Sequence, residues 1–366
     1  MNILIILSHL DQTGMTTNTI DLCEGLCIQG HNVTLLVGKQ KNKKFNQIHI
    51  DRLSNINVKT KYFRYGDSLY SRIITVLKIS YYCLKNYEII HVESPYLTFI
   101  PYYLRKKFTS TFHVNDLMPC FYYRNATHLI AISNETRDYA IKYFNFNERD
   151  ITIVNHGVSL RYASLITHDG IINLKKLYNI PTDKIIIGFV GSIEKRKGHD
   201  ILLNAISKLQ NDIKNQIHIV FIGSSKDGKT NNWFANLIKQ TDTSKYITCI
   251  EYCDCCELYK TFDIFAFPSR LEGFGLVVIE AMLSGCCIIR SDTEGANEQI
   301  NHGVDGYIFK NESVEQLSNI LTMLIQSPYK IREIAQKGQE KALRLFTCER
   351  MAKDTIKVYN KIINEY

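Results

Sequence analysis

Two glutamates eight positions apart, Glu272 and Glu280, bracket the most chemically loaded stretch of the chain, "FPSRLEGFGLVVIEAMLSG". A strand-like run ends at Pro268-Ser269. A loop carrying Glu272-Gly273-Phe274-Gly275 follows, and a helical pattern starts near Leu276 and stops near Gly285. Glycines at 273 and 275 let a ligand come close to the backbone. The free N–H groups and partial positive charge of a helix start suit a phosphate. Glu272 precedes that helix and Glu280 lies a turn or so inside it, so the two carboxylates can reach groups on opposite sides of the phosphates. Paired carboxylates of this kind suit the vicinal hydroxyls of a sugar or a ribose. Taken without context, a solvated helix with two surface glutamates fits the stretch equally well.

A second stretch makes a rival claim. Gly223 to Thr230, "GSSKDGKT", fits the G-x-x-x-x-G-K-[ST] loop that grips phosphates in many NTPases, and it follows the apolar run "IHIVFI". Such a protein also needs a separate acidic Mg²⁺ ligand at the end of an apolar strand. "EIIHVES" offers only Glu93, in the other half of the chain, and the Glu272 to Glu280 stretch would be left without a role. A P-loop NTPase or a noncatalytic nucleotide-binding protein using Gly223–Thr230 is therefore the alternative reading. "CIEYCDCCELY" gathers Cys249, Cys253, Cys255 and Cys256 and hints at a metal knot. No matching His or Cys pair follows at zinc-site spacing, so small apolar fillers are the simpler reading.

These residues must be positioned by an α/β framework. Short β-branched runs, "NILIIL", "NVTLLV", "EIIHV", "STFHV", "HLIAIS" and "ITIV" in the first half, alternate with helical patterns. The second half repeats the alternation with "IIIGFVG", "IHIVFIG", "ITCIE", "DIFAFPS" and "CCIIR". Strands alternating with helices predict parallel sheets covered on both faces. The 366 residues suffice for two such sheets, with a linker near Ser159–Gly170 and successive helices from about Ser313 to the end. Ligands of open α/β sheets bind at the C-terminal ends of the strands, so function is expected in loops that follow strands.

The bulk properties narrow the setting. No apolar run approaches the ~20 residues of a membrane span. "MNILIILSHL" lacks the basic start and cleavage site of an export signal and reads as a first strand. Eleven scattered cysteines then fit reduced thiols in a cytosol. Residues 1–168 hold 19 Lys and Arg against 12 Asp and Glu, nearly the whole of the net charge of +8. A lopsided basic half fits an anionic partner such as a phospholipid surface or a phosphorylated lipid, or simply a basic soluble face.

The window Pro268, Ser269, Glu272, Gly273, Phe274, Gly275, Leu276, Glu280, Ala281, Met282, Gly285 resembles the P-S-x-x-E-G-F-G-L-x-x-x-E-A-M-x-x-G pattern of family-4 glycosyltransferases, retaining enzymes of the GT-B fold. "GFVGSIEKRKGHDILLNAISKL" is similar to the element that opens their C-terminal domain. Lys197 and Gly198 match there, whereas Ser192 stands in place of an Arg and Arg196 can supply that charge. "IVNHGVSLRY", "SDTEGANEQINHGVDGYIF" and "FTCERMAK" resemble further family segments, and so does the front of the chain, where Gly14 matches and Met15 replaces a second glycine. The resemblance implies two Rossmann-like domains facing across a cleft: residues 1–165 on the acceptor side, with a C-terminal helix of about 350–366 packing back on them, and 170–349 binding the nucleotide-sugar.

It also implies a reaction and a set of roles. A nucleotide-diphosphate sugar, with UDP-sugar favoured and GDP-sugar next, would give its sugar to a hydroxyl of a saccharide or lipid-linked acceptor, with retention at the anomeric carbon. The expected catalytic residues are Glu272, His113 and Lys197. The expected donor contacts are Gly14, Ser192, Arg196, Lys197, Gly223, Glu272, Gly273, Phe274, Gly275, Leu276 and Glu280, with Glu280 on the ribose. His9, Asp11 and Asn115 are expected near the acceptor. The chain has no Asp-x-Asp, so fixed cations are expected to stand where other enzymes use Mg²⁺, and neither a metal nor another cofactor is implied. Surface polysaccharide or glycolipid synthesis in the cytoplasm, without nucleic acid, is the expected setting. The basic aromatic segment "PYLTFIPYYLRKKF" (95–108), aided by "GKQKNKKF" (38–45), could rest on the inner face of a membrane, although a half-buried helix with a basic end fits it as well.

Overall fold

The computed structural model describes residues 1–40, 47–66, 68–113, 121–225 and 227–365. The chain divides into two compact units, Met1–Ser159 with Phe346–Tyr366, and Leu160–Leu345.

The first unit begins β1 (Asn2–Leu7), α1 (Gly14–Ile28), β2 (Asn32–Gln40), α2 (Gln47–Asn55), β3 (Lys59–Tyr65) and α3 (Leu69–Cys83). It continues β4 (Ile89–Val92), α4 (Phe99–Tyr103), β5 (Thr109–Phe112), β6 (His128–Ala131), α5 (Asn134–Phe144) and β7 (Ile151–Ile153). The seven strands form one parallel sheet in the order β3-β2-β1-β4-β5-β6-β7. Its central strands are apolar on both faces, as a sheet covered by helices on both sides requires: Ile3, Leu4, Ile5, Ile6 and Leu7 of β1 are all fully buried.

The second unit repeats the design with α6 (His168–Leu177), β8 (Ile185–Val190), α7 (His199–Ser207), α8 (Asn211–Lys214), β9 (Ile217–Ile222), α9 (Gly228–Gln240) and β10 (Ile247–Ile250). Then come β11 (Ile264–Phe267), α10 (Leu276–Leu283), β12 (Cys287–Ser291), α11 (Ala296–Gln299), β13 (Tyr307–Phe309), α12 (Val314–Ile325) and α13 (Pro328–Leu345). Its parallel sheet runs β10-β9-β8-β11-β12-β13. Two parallel-sheet α/β units built in this way are the GT-B fold.

Two strands escaped the sequence pattern, β3 ("KTKYFRY") and β13 ("YIF"), and both are sheet edges. Only Phe63 of β3 is buried, so its place is set by pairing with β2 rather than by its own hydrophobicity.

The chain ends in α14 (Cys348–Glu365), which belongs to the first unit. Its buried residues Met351, Ala352, Thr355, Val358, Tyr359 and Ile362 recur at helical spacing and pack on α1 and the first core. Each fully buried Val, Ile or Met contributes about 1.5–3 kcal/mol, enough to hold the helix there.

Candidate functional site

Both sheets reverse their strand order once, between β1 and β4 in the first unit and between β8 and β11 in the second. Loops leaving two such neighbouring strands diverge to opposite faces and open a crevice between them. Most of the residues expected to act that are described lie in the loops at or next to these two points or at the start of the helices that follow them.

In the second unit, the loop after β8 carries Ser192, Glu194, Arg196 and Lys197, the last two in a single 3-10 turn, Lys195–Lys197. The loop after β11 carries Glu272, Gly273 and Phe274 and ends at Gly275, the N-cap of α10. The two loops meet at Glu272. Its carboxylate is ion-paired with the Lys197 ammonium, and Arg196 Nη1 lies 3.2 Å from the same oxygen. Arg196 also donates to the Leu271 carbonyl at 2.9 Å and pairs with Glu194 at 2.9 Å. The Ser192 hydroxyl donates to the same Glu194 oxygen at 2.7 Å. Burial alone would raise the Glu194 carboxyl, but the Ser192 hydroxyl, Arg196 and Lys197 hold it below the usual carboxylate range. Two cations and two carboxylates are thus held at one crevice mouth.

Residues outside the expected set hold these loops in place. The Arg270 guanidinium binds both oxygens of Asp200 at 2.8 Å, and its backbone N–H donates to Arg196 O at 2.7 Å. This ties the loop after β11 to the start of α7. Arg290, fully buried at the end of β12, bonds to Gln299 and to the Phe274 carbonyl. Gln299 donates to that same carbonyl at 2.8 Å. Together they brace the Gly273–Gly275 backbone from behind. The only sequence trace of this brace was one arginine ending the apolar run "CCIIR".

Gly275 has φ +83°, where a side chain would be strained, and α10 starts from it without a side-chain cap. Leu276 is the first residue of α10, and Phe274 is packed inward. Glu280 is buried on α10 and accepts a hydrogen bond from the Tyr259 hydroxyl at 2.7 Å. Gly223, just after β9, packs against the loop after β8 that carries Ser192. A Cβ there would fall 2.0 Å from Gly191 O, so its lack of a side chain is already required by the packing of two loops.

The P-loop reading fails on geometry. The start of α9, where a phosphate would sit, is occupied by the Asp227 carboxylate, which accepts the Thr230 N–H at 2.8 Å. A fixed anion at that helix start repels a phosphate. Strand β9, moreover, does not border the reversal in strand order. Lys226 lies outside the described residues.

In the first unit, His9 and Asp11 lie in the loop after β1. His9 Nδ1 is 3.2 Å from Gly38 O. Asp11 accepts from the Thr13 and Thr16 hydroxyls at 2.6 and 2.7 Å, which fixes the start of α1, whose first residue is Gly14. His113 follows β5. Its Nε2 lies 2.5 Å from Glu93, and its Nδ1 lies 3.4 Å from His156 Nε2. Glu93, fully buried after β4, also faces His91, which bonds the Tyr359 hydroxyl of α14 at 2.8 Å. Burial would raise the Glu93 carboxyl, but His91, His113 and a hydrogen bond from Thr111 carry it below its ordinary value. Burial pushes His91 and, more strongly, His156 down toward the neutral form. Neither Glu93 nor His156 was among the expected site residues. Asn115 lies outside the described residues.

Among the described residues, no three His, Cys, Asp or Glu side chains stand together as a metal site. In the cysteine-rich stretch, Cys256 bonds the Arg161 carbonyl, and burial raises the Cys255 and Cys256 thiols.

Two family models match the chain and together cover most of it: "Glycosyltransferase Family 4" over residues 13–162 and "Glycosyl transferases group 1" over residues 171–341. An uncharacterised glycosyltransferase of Methanocaldococcus jannaschii is 23% identical over 327 residues, 87% of this chain and 78% of its own length. The O-antigen biosynthesis glycosyltransferase WclY of Escherichia coli is 28% identical over 53% of this chain, which spans about half of that enzyme. The crystal structure of Anabaena HepE in complex with UDP superposes with a TM-score of 0.82 at 18% identity, covering 99% of this chain and all of that one. The same protein has been solved with UDP-glucose.

Proposed function

The chain belongs to the family-4-like GT-B glycosyltransferases, and from that premise we propose that it is a retaining enzyme. It moves a sugar from a nucleoside diphosphate to a hydroxyl of a saccharide or lipid-linked acceptor in surface polysaccharide or glycolipid synthesis. The observation that carries the proposal is the meeting of Lys197, Arg196 and Glu272 beside the start of α10.

Loss of the diphosphate builds negative charge on a phosphate oxygen. Lys197, Arg196 and the uncapped helix start are the groups available to stabilise it, in place of a metal. Glu272 neutralises the two cations before the donor arrives and turns to donor-sugar hydroxyls afterwards. Glu280 takes the ribose hydroxyls, with Tyr259 fixing its carboxylate. The C1–O bond to the diphosphate breaks as the acceptor oxygen bonds to C1 from the same face, and the acceptor proton passes to the departing phosphate oxygen. On this reading His9, Asp11 and Asn115 serve the acceptor, and His113 presents Nδ1, whose contact with His156 is long, to the reacting sugar.

UDP is the favoured nucleotide, because the HepE structures hold UDP and UDP-glucose; GDP is the next candidate. The work would take place in the cytoplasm or at the inner face of a membrane. The direct test is a thermal-shift panel of UDP-, GDP- and ADP-sugars with and without Mg²⁺, followed by NMR of the product formed from the stabilising donor. Stabilisation by one base class without metal and a product of unchanged anomeric configuration support the proposal. A product of inverted configuration would overturn it.

A further inference from the structure

Helix α3 carries apolar residues on the wrong face for a soluble protein. One side packs inward through Ser71, Thr75, Ile79, Tyr82 and Cys83. The opposite side, which a surface helix normally fills with polar groups, holds Leu69, Tyr70, Ile73, Leu77 and Tyr81, and Leu84 follows just past its end. Each of these side chains is at least half exposed: Leu69 is 74% exposed, Ile73 50%, Leu77 61% and Leu84 62%. At about 100° per residue they fall within one arc of about 120°. Arg72 borders the arc on one side, and Lys78 and Lys85 border it on the other, all three exposed. From Leu69 to Tyr87 the chain has no Asp or Glu.

We propose that this face docks on an anionic phospholipid bilayer, with α3 lying in the plane of the headgroups. A continuous exposed apolar patch marks an interaction surface. An apolar stripe edged by Lys and Arg is the pattern of an interfacial helix, in which the stripe sinks among the acyl chains and the long basic side chains reach up to the phosphates. Lys85 lies over the Tyr81 ring at 4.5 Å, so cation and aromatic ring share the boundary level. Helix α4 packs beside α3 and continues the surface with exposed Tyr102 and Tyr103, followed by exposed Arg105 and Lys107. At five residues, with Ile100 and Pro101 turned inward, α4 is too short to act alone, and the 38–45 segment falls largely outside the described residues.

The charge pattern decides between occupants. A two-fold pairing of this face with itself would bring Arg72, Lys78 and Lys85 against the same cations of a second copy. No helix among the described residues is long and apolar enough to cross a membrane, so docking is in-plane. The surface stands on α3 and its neighbours, and the inference does not depend on the donor chemistry.

The test is flotation of the full chain with vesicles of phosphatidylcholine containing about 30% phosphatidylglycerol, against phosphatidylcholine alone. Binding to the anionic vesicles only is expected, weakening in high salt. The double variant Ile73→Glu, Leu77→Glu should lose at least about tenfold in affinity, with an unchanged melting temperature and unchanged transfer to a water-soluble acceptor. A second readout places Leu77→Trp in a Trp233→Phe background, removing the single native tryptophan. Its emission should shift to the blue and be quenched by brominated acyl chains. The proposal is overturned if the native chain stays unbound, or if the Glu variant binds as well as the parent. It is equally overturned if the face instead mediates self-association or captures a protein while vesicles are ignored.

Discussion

The Glu93 carboxylate lies 2.5 Å from His113 Nε2, with Glu93 fully buried and His113 near the end of its strand. This contact fixes the ring plane of the one histidine that the first unit offers for chemistry after β5. It also directs Nδ1 toward His156 and whatever displaces that weak contact. Removing the charge while keeping the shape should therefore act on chemistry. Glu93→Gln is expected to lower kcat about tenfold and to move the pH–rate profile, and His113→Ala to lower kcat about a hundredfold or more. A Gln variant with the parent's kcat and pH profile would show that the pair is structural only.

The two nucleotide-binding readings separate at Glu280 and Lys229. Glu280→Gln keeps an acceptor for the Tyr259 hydroxyl but loses the charge, and it should weaken nucleotide binding about tenfold by calorimetry. Lys229→Ala, on the helix that Asp227 already caps, should leave that affinity unchanged. The reverse pattern would restore the P-loop reading.

Lys197→Ala should leave an intact fold with little transfer activity. The Lys197 ammonium pairs with Glu272 in the absence of donor and is assigned the departing diphosphate in its presence. A loss of about a hundredfold or more in kcat, with a smaller change in KM, is expected, because the charge it meets grows in the transition state. Equal changes in nucleotide affinity and in kcat/KM at constant kcat would argue for simple binding.

Arg290→Met tests the brace under the Gly273–Gly275 backbone. The substitution takes the guanidinium's donors from the Gln299 side-chain oxygen and the Glu294 carbonyl, while the Phe274 carbonyl keeps its bond from Gln299, with an expected loss of about 3 kcal/mol in urea unfolding. Donor affinity should fall with it. Stability equal to the parent's would mean that the guanidinium's hydrogen bonds do no more than offset its own desolvation.

Acid should loosen the second unit through His199. Burial beside Phe189 and Phe221 lowers its pKa from 6.5 to about 4. Between those values the unfolded chain binds the proton and the folded chain does not. Stability is therefore complete above about pH 6.5 and falls as the pH drops toward about 4, by on the order of 3 kcal/mol. His199→Phe should flatten that part of the stability-against-pH curve. A slope unchanged by the substitution would assign it to other groups.

The sequence by itself determined the framework and the reactive stretch of the second unit. Long apolar β-branched runs at regular intervals leave a chain few ways to bury them except in parallel sheets. A glutamate-glycine loop leading into a helix is local in sequence, so its geometry is written in adjacent residues. Tertiary structure alone decided what rests on long-range pairing. Edge strand β3 exists because a neighbour offers hydrogen bonds, not because its own residues demand burial, and β13, three residues long, is too short to show a pattern of its own. Glu93 becomes a partner of His113, and Arg290 a support for Phe274, only when successive strands separated by a helix lie side by side. The apolar outer face of α3 was hidden for the same reason: a helix pattern gives its period, but which of two apolar sides meets the core is settled by packing.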